Sequence, residues 1–196
     1  RIKVVYKNPA NTVYTGYAVS SEWEAVNELQ IGGRNLILNS NDWTKLSTSV
    51  ARGVTAFKET VDGESVLRVV YDGTTADPFL RLSGIIKELG VQTFSVEAKL
   101  IAGEGMLRLQ INDRGSTTNT LTEEWVRYRV TYDNDIVTEV YNFVNMYPVQ
   151  GTGAYSFYLR LPKLEKGNKA TDWTPAPEDQ VSDWSVTDVN SFAFIK

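Results

Sequence analysis

From Gly33 onward, apolar and polar residues alternate in short runs separated by turn signals, as in antiparallel strands with one buried face. Leu36 and Leu38 alternate with Ile37 and Asn39, ahead of a loop at Asn39–Asp42. Thr55–Val61 and Ser65–Tyr71 flank Asp62-Gly63, whose residues both accept positive φ and so favour a tight hairpin. Asp72-Gly73 marks the next turn, Pro78–Ser83 a short strand, and Ile85–Leu89 a single helical turn ended by Gly90. Thr93–Ile101 and Met106–Asn112 are the clearest strands. In the second, Leu107, Leu109 and Ile111 face one way and Arg108, Gln110 and Asn112 the other. Trp125–Tyr132, Val137–Val144 and Tyr155–Leu161 follow. Lys166-Gly167-Asn168-Lys169 is turn chemistry, and Thr171–Thr174 forms one more short strand. Pro175 and Pro177 then stop regular pairing, since neither has an N–H to donate. Roughly ten short strands without strand–helix–strand alternation predict an all-β sandwich or jelly roll, not a parallel α/β sheet.

The flanks read differently. Ile2, Val4 and Tyr6 alternate with Lys3, Val5 and Lys7 in a strand, Asn8–Asn11 is a turn, and Val13–Val19 is a second strand. Ser21-x-x-Glu24 is a capping-box pattern followed by Trp23, Val26 and Leu29 at near-helical spacing, which predicts a short helix ending at Gly32-Gly33. Residues 1–31 are thus a linker or the end of a preceding domain, 32–179 the sandwich, and 180–196 a linker or the start of a following segment. In the last of these, Phe192 and Phe194 alternate like the first strand of another domain or like an oligomerising segment. Because the chain opens at Arg1, mid-pattern and without methionine, the expectation is a piece of a longer protein.

Composition narrows the chemistry. The 196 residues, 42% hydrophobic, suffice for one packed core. A net charge of −4 with the Lys and Arg spread among acidic residues predicts no nucleic-acid partner. No apolar run approaches the roughly 20 residues of a membrane helix, so no membrane partner is expected. With no cysteine and no histidine, thiol nucleophiles, disulfides and His-based triads are excluded.

Two strings, Gly32-Gly33-Arg34-Asn35-Leu36-Ile37-Leu38-Asn39-Ser40 and Leu164-Glu165-Lys166-Gly167-Asn168-Lys169-Ala170-Thr171-Asp172-Trp173-Thr174-Pro175-Ala176-Pro177-Glu178-Asp179, carry a resemblance. They resemble the opening and closing stretches of carbohydrate-binding-like modules in tail and baseplate proteins of phages of Gram-positive bacteria. That family includes the accessory baseplate proteins of lactococcal phages. Between them only strand rhythm and Thr122–Tyr128 match, and the flanks lie outside the resemblance. It implies a jelly-roll β-sandwich, carbohydrate-binding-module-like, that binds host cell-wall polysaccharide on a virion and contacts other phage baseplate proteins. A structural adaptor docking those proteins is the alternative.

Polar residues on otherwise apolar strands are the candidate carbohydrate-binding groups: Arg81, Arg108, Gln110, Asn112, Arg129, Tyr158 and Arg160. Planar donors grip paired hydroxyls, and an aromatic ring covers the C–H face of a sugar. The same pattern is also that of a solvent-facing sheet. Trp43, after the Asn/Ser/Asp loop, is the exposed stacking candidate, while Trp125 and Trp173 are expected in the core. No cofactor is expected. The resemblance implies a structural calcium near the first and last strands, for which Asp42, Glu165 and Asp172 are the available oxygen ligands, although no dense acidic loop is present. Glu97, Asp113, Glu123 and Glu124 are available carboxylates with no motif pairing them across a cleft, so the reading is non-catalytic.

Overall fold

The computed structural model describes residues 2–7, 13–18, 33–86, 88–134, 142–151 and 153–179. The chain divides into two compact units, Arg1–Gln30 and Ile31–Lys196. In the first, β1 (Ile2–Lys7) and β2 (Val13–Ala18) pair antiparallel, with Lys7 opposite Val13. The helix expected over 21–29 and the strand expected at 192–194 lie outside the described residues.

The second unit is a jelly-roll β-sandwich of two antiparallel five-stranded sheets. Its strands are β3 (Ser47–Ala51), β4 (Val54–Val61), β5 (Glu64–Tyr71), β6 (Phe79–Ile85), β7 (Gly90–Ala102), β8 (Met106–Ile111), β9 (Arg114–Thr120), β10 (Val126–Asn134), β11 (Asn142–Pro148) and β12 (Tyr155–Lys166). One sheet runs β10-β7-β12-β5-β4 and the other β3-β6-β11-β8-β9. Inner faces follow the alternation. Leu67, Val69 and Tyr71 of β5, with Phe94 and Val96 of β7, pack in one core with Leu80 and Leu82 of β6 and Leu107 and Leu109 of β8. Burial of each such side chain contributes about 1.5–3 kcal/mol. The β4–β5 hairpin closes through Asp62 and Gly63, with φ of 52° and 82°, as that dipeptide predicts.

Several elements differ from expectation, each for a physical reason. Residues 33–40 and 171–174 are not strands. They clasp each other through side chains and isolated backbone bonds, such as Leu36 N–H to Leu164 O at 2.8 Å. β3 and β9 carry no apolar rhythm because both are edge strands, and their Ser- and Thr-rich sequences stay exposed or half-buried throughout. β11 extends to Pro148, four residues beyond the strand expected to end at Val144, because this central strand is buried on both faces and its alternation is masked. Ile85 closes β6 instead of opening a helical turn.

β12 contains a bulge between Arg160 and Lys163, with Leu161 at φ 49°. An inserted residue reverses the parity of everything after it. Leu164 therefore points into the core, and Lys163 and Glu165 point outward beneath the 171–174 segment, where both are buried.

Candidate functional site

The outward face of the β3-β6-β11-β8-β9 sheet is built on β11. Its alternation sends Val144 and Met146 into the core and Phe143, Asn145 and Tyr147 outward. Outward residues of a sheet normally meet water, yet Asn145 is 0% exposed and Tyr147 8%. Neighbouring side chains wall them in.

Arg81 of β6 stands opposite Asn145 and donates from Nε to Asn145 Oδ1 at 2.9 Å. Its Nη2 donates to both carboxylate oxygens of Asp113, each at 2.9 Å. The guanidinium lies 3.7 Å from the Phe143 ring centroid and 5.2 Å from that of Phe79. Asp113 Oδ1 also accepts from Asn145 Nδ2 at 2.6 Å and from the Tyr147 hydroxyl at 3.2 Å. Burial first, and the Asp113 charge second, push the Tyr147 phenol above its usual range, while the Arg81 hydrogen bond acts the other way. The phenol therefore remains a donor at neutral pH.

Asp113 reaches this network from the β8–β9 turn. Asn112 and Asp113 sit at φ 51° and 58° in a two-residue connection, with Ile111 opposite Arg114. Such turns require positive φ twice, which Asn and Asp tolerate through local hydrogen bonding. On β8, Arg108 stands opposite Tyr147 with its guanidinium 5.2 Å from that ring, and Gln110 stands opposite Asn145. Phe79 and Tyr147 rings are 5.9 Å apart. The face thus offers a buried polar floor, two held charges, half-exposed ring faces at Phe79 and Phe143, and planar donors at Arg108 and Gln110.

Of the eight candidate residues, Arg81, Arg108 and Gln110 come together on this face. Arg129, Tyr158 and Arg160 lie on the outward face of the other sheet. Arg160 donates there to Glu97 Oε2 at 2.7 Å and pairs with Glu64 at 2.5 Å, with its guanidinium 4.1 Å from the Trp125 ring centroid. Asn112 does not continue the Arg108–Gln110 row. Its turn conformation directs the side chain to the start of β11, where Oδ1 accepts from Phe143 N at 2.9 Å and Nδ2 donates to Asn142 Oδ1 at 3.0 Å.

Trp43 is not a stacking platform. Asp42 caps the short 3-10 turn Trp43–Lys45, Trp43 N–H donates to Ser65 Oγ at 2.9 Å, and the indole is 0% exposed in the core. Conversely, Trp125 and Trp173, expected inside, are half-buried. The Trp125 ring stacks on Tyr158 with centroids 6.3 Å apart, and Trp173 Nε1 donates to Ser40 Oγ at 3.1 Å.

Among the described residues, no three acidic side chains gather as a metal site. Asp42 is engaged by Thr44, and both Glu165 oxygens accept from Thr171. Glu97 and Asp113 lie on the outward faces of opposite sheets, so they do not face each other across a cleft.

Asn145, Tyr147, Phe79 and Phe143 are not among the sequence candidates, and Asp113 is named there only as an available carboxylate, not as a binding group. The signal existed: Phe143, Asn145 and Tyr147 alternate with Val144 and Met146. Placing the strand at 137–144 hid it.

No protein-family model matches the chain, and no curated protein matches its sequence. Solved structures do match. The CBM22-1 xylan-binding domain from Paenibacillus barcinonensis Xyn10C superposes with a TM-score of 0.53 at 16% identity, over 72% of this chain and 99% of that one. A putative sugar binding protein from Bacteroides thetaiotaomicron gives 0.51 at 13% identity, over 68% of this chain and all, 100%, of that one. Part of an arabinose-bound α-L-arabinofuranosidase gives 0.52 at 7% identity, over 67% of this chain and 26% of that one. At such identities the likeness is one of fold, and the fold is that of carbohydrate-binding modules.

Proposed function

We propose that the sandwich is a non-catalytic module that binds cell-surface polysaccharide of a bacterial host as part of a phage tail or baseplate. The observation that carries the binding role is the walled polar floor of Asn145 and Tyr147, held by Arg81 and Asp113 between the rings of Phe79 and Phe143. The sugar-binding descriptions of two structural neighbours support it. The phage assignment rests on the opening and closing strings. Their contact in the fold, through Leu36 and Leu164, gives the two strings one structural role. Binding would take place at the host surface, with other baseplate proteins as assembly partners.

The geometry suits neutral hydroxyls. Arg108 and Gln110 present donors in planes, and the ring faces cover apolar C–H surface. Each hydroxyl exchanges water for protein, a net gain of about 0.5–1.5 kcal/mol, so one module binds weakly. Several copies on a virion raise avidity through effective concentration. Because Arg81, Asn145 and Asp113 hold one another before ligand arrives, little ordering cost falls on that trio.

The test compares wild type with the Arg108→Ala/Gln110→Ala variant for binding to purified host cell-wall polysaccharide. Both side chains reach solvent and neither fills the core, so the melting temperature should hold while affinity falls. Equal affinity would remove this face. A wild type that binds no host glycan but is retained by baseplate proteins would establish the adaptor reading instead.

A further inference from the structure

The outward face of the β10-β7-β12-β5-β4 sheet plays no part in that site. One cross-strand row crosses it. Tyr158 stands opposite both Lys99 and Arg68, Arg68 stands opposite Phe57, and Trp125 precedes Val126, the partner of Ala98. Along the row, aromatic and cationic residues alternate in the order Trp125, Lys99, Tyr158, Arg68, Phe57. Trp125 and Tyr158 stack, and the Arg68 guanidinium lies 4.3 Å from the Phe57 centroid.

Charge on these strands is unevenly matched. Glu59 is held by Arg68 at 2.8 Å, Glu64 by Arg160, and Glu97 by both Arg160 and Arg127. The outward carboxylates of β4, β5 and β7 therefore each have a cation, while Asp133, at the far end of β10 opposite Val91, has none among the described residues. Lys99 and Arg129 have no carboxylate partner among the described residues. Glu123 and Glu124 are in the loop before β10, not on the strands. Arg129 stands opposite Ser95, four residues along β7 from Lys99, which sets the two cations about 13 Å apart along the strand direction. Lys99 stands opposite Tyr158, on the strand next to the stacked Trp125 and Tyr158 rings, whose exposed edges offer a platform for sugar.

We propose that this second face binds an anionic polysaccharide, whose acidic groups pair with Lys99 and Arg129 and whose rings lie against Trp125 and Tyr158. The charge selects for carboxylate or phosphodiester groups, and the platform selects for a saccharide over a simple polyanion. This face works independently of the Arg108–Gln110 face, so each is abolished without the other.

The full chain is run through native gels containing polygalacturonate, a glycerol teichoic acid carrying glucosyl substituents, a neutral xylan, or polyphosphate as a polyanion without sugar rings. Retardation by polygalacturonate alone identifies carboxylate as the anion, by the teichoic acid alone phosphodiester, and by both a general anionic site. Lys99→Ala/Arg129→Ala should weaken that retardation about tenfold and flatten its loss between about 0.01 and 0.1 M salt. Lys99→Arg/Arg129→Lys, which keeps both charges, should restore it. The Arg108→Ala/Gln110→Ala variant should be retarded like wild type. Trp125→Ala should weaken retardation by the acidic polysaccharide more than by polyphosphate. No retardation of wild type by either anionic polymer, or equal retardation of the charge-removed variant with an unchanged melting temperature, overturns the proposal.

Discussion

Asn35 donates from Nδ2 to the carbonyl of Thr174 at 3.1 Å, joining positions 139 apart in the chain. The same amide donates to Ser40 Oγ and Pro162 O, and its oxygen accepts from Ile37 N and Leu164 N. One fully buried side chain thus ties the opening stretch to the closing one.

Asn35→Ala strands these backbone groups in the interior. An unsatisfied buried group costs about 1–3 kcal/mol, and here several are left at once. We expect a loss of about 3 kcal/mol, read as a lower denaturant midpoint at constant slope. A shift no greater than that of a surface Asn→Ala control would mean that water replaces the amide.

Trp43 and Trp173 should separate cleanly. Trp43→Ala empties a fully buried indole site and should cost about 3–5 kcal/mol. Trp173 is half-buried and contributes one hydrogen bond to Ser40, so Trp173→Ala should cost about 1–2 kcal/mol. Melting temperatures of the two variants check the order, and a reversal would mean that Trp173, not Trp43, is the buried indole.

Lys163 and Glu165 form a buried pair, Nζ to Oε2 at 3.5 Å, under Thr171 and Asp172. Burial pulls the Lys163 pKa down, opposed by the Glu165 charge. Removing one partner leaves the other uncompensated, so Lys163→Met or Glu165→Gln alone should cost about 3–5 kcal/mol. The double variant should cost well under the sum, and a thermodynamic cycle measures that difference. Simple additivity would show that the pair does not act as a unit.

Burial pushes the Tyr155 phenol from 10.0 up to about 12, against hydrogen bonds with Val149 and Met106 that act the other way. Below pH 10 folded and unfolded chains both hold the proton, and stability is full. Between pH 10 and about 12 the unfolded chain releases it first, so stability falls by about 3 kcal/mol in all. Tyr155→Phe should be less stable than wild type at neutral pH, with the gap narrowing as pH rises. Parallel curves would assign the alkaline loss to Tyr71 and Tyr147, whose phenols are also raised.

Legibility in the sequence followed burial on one side. Strands with a wet face and a dry face, such as β5 and β8, show their alternation directly. β11 is dry on both faces, and β3 and β9 are nearly dry on neither, so their rhythm vanishes in opposite ways. The site was half legible for the same reason. Arg81, Arg108 and Gln110 interrupt apolar strands and announce themselves, whereas Asn145 and Tyr147 sit in the strand whose pattern was masked. Asp113 belongs to no strand. Only the turn geometry of Asn112 and Asp113 carries its carboxylate back over the sheet.

The clasp that Asn35 closes has a consequence for how the sandwich attaches to anything else. Gly33 O accepts from Thr174 Oγ1, Asn39 N–H donates to Asp179 Oδ2 at 2.7 Å, and Arg34 pairs with Glu178. Chain entry and chain exit are therefore neighbours. A module whose two ends meet at one point on its perimeter can be spliced into a host loop, duplicated, or reopened at the Asp62-Gly63 hairpin with its old ends fused.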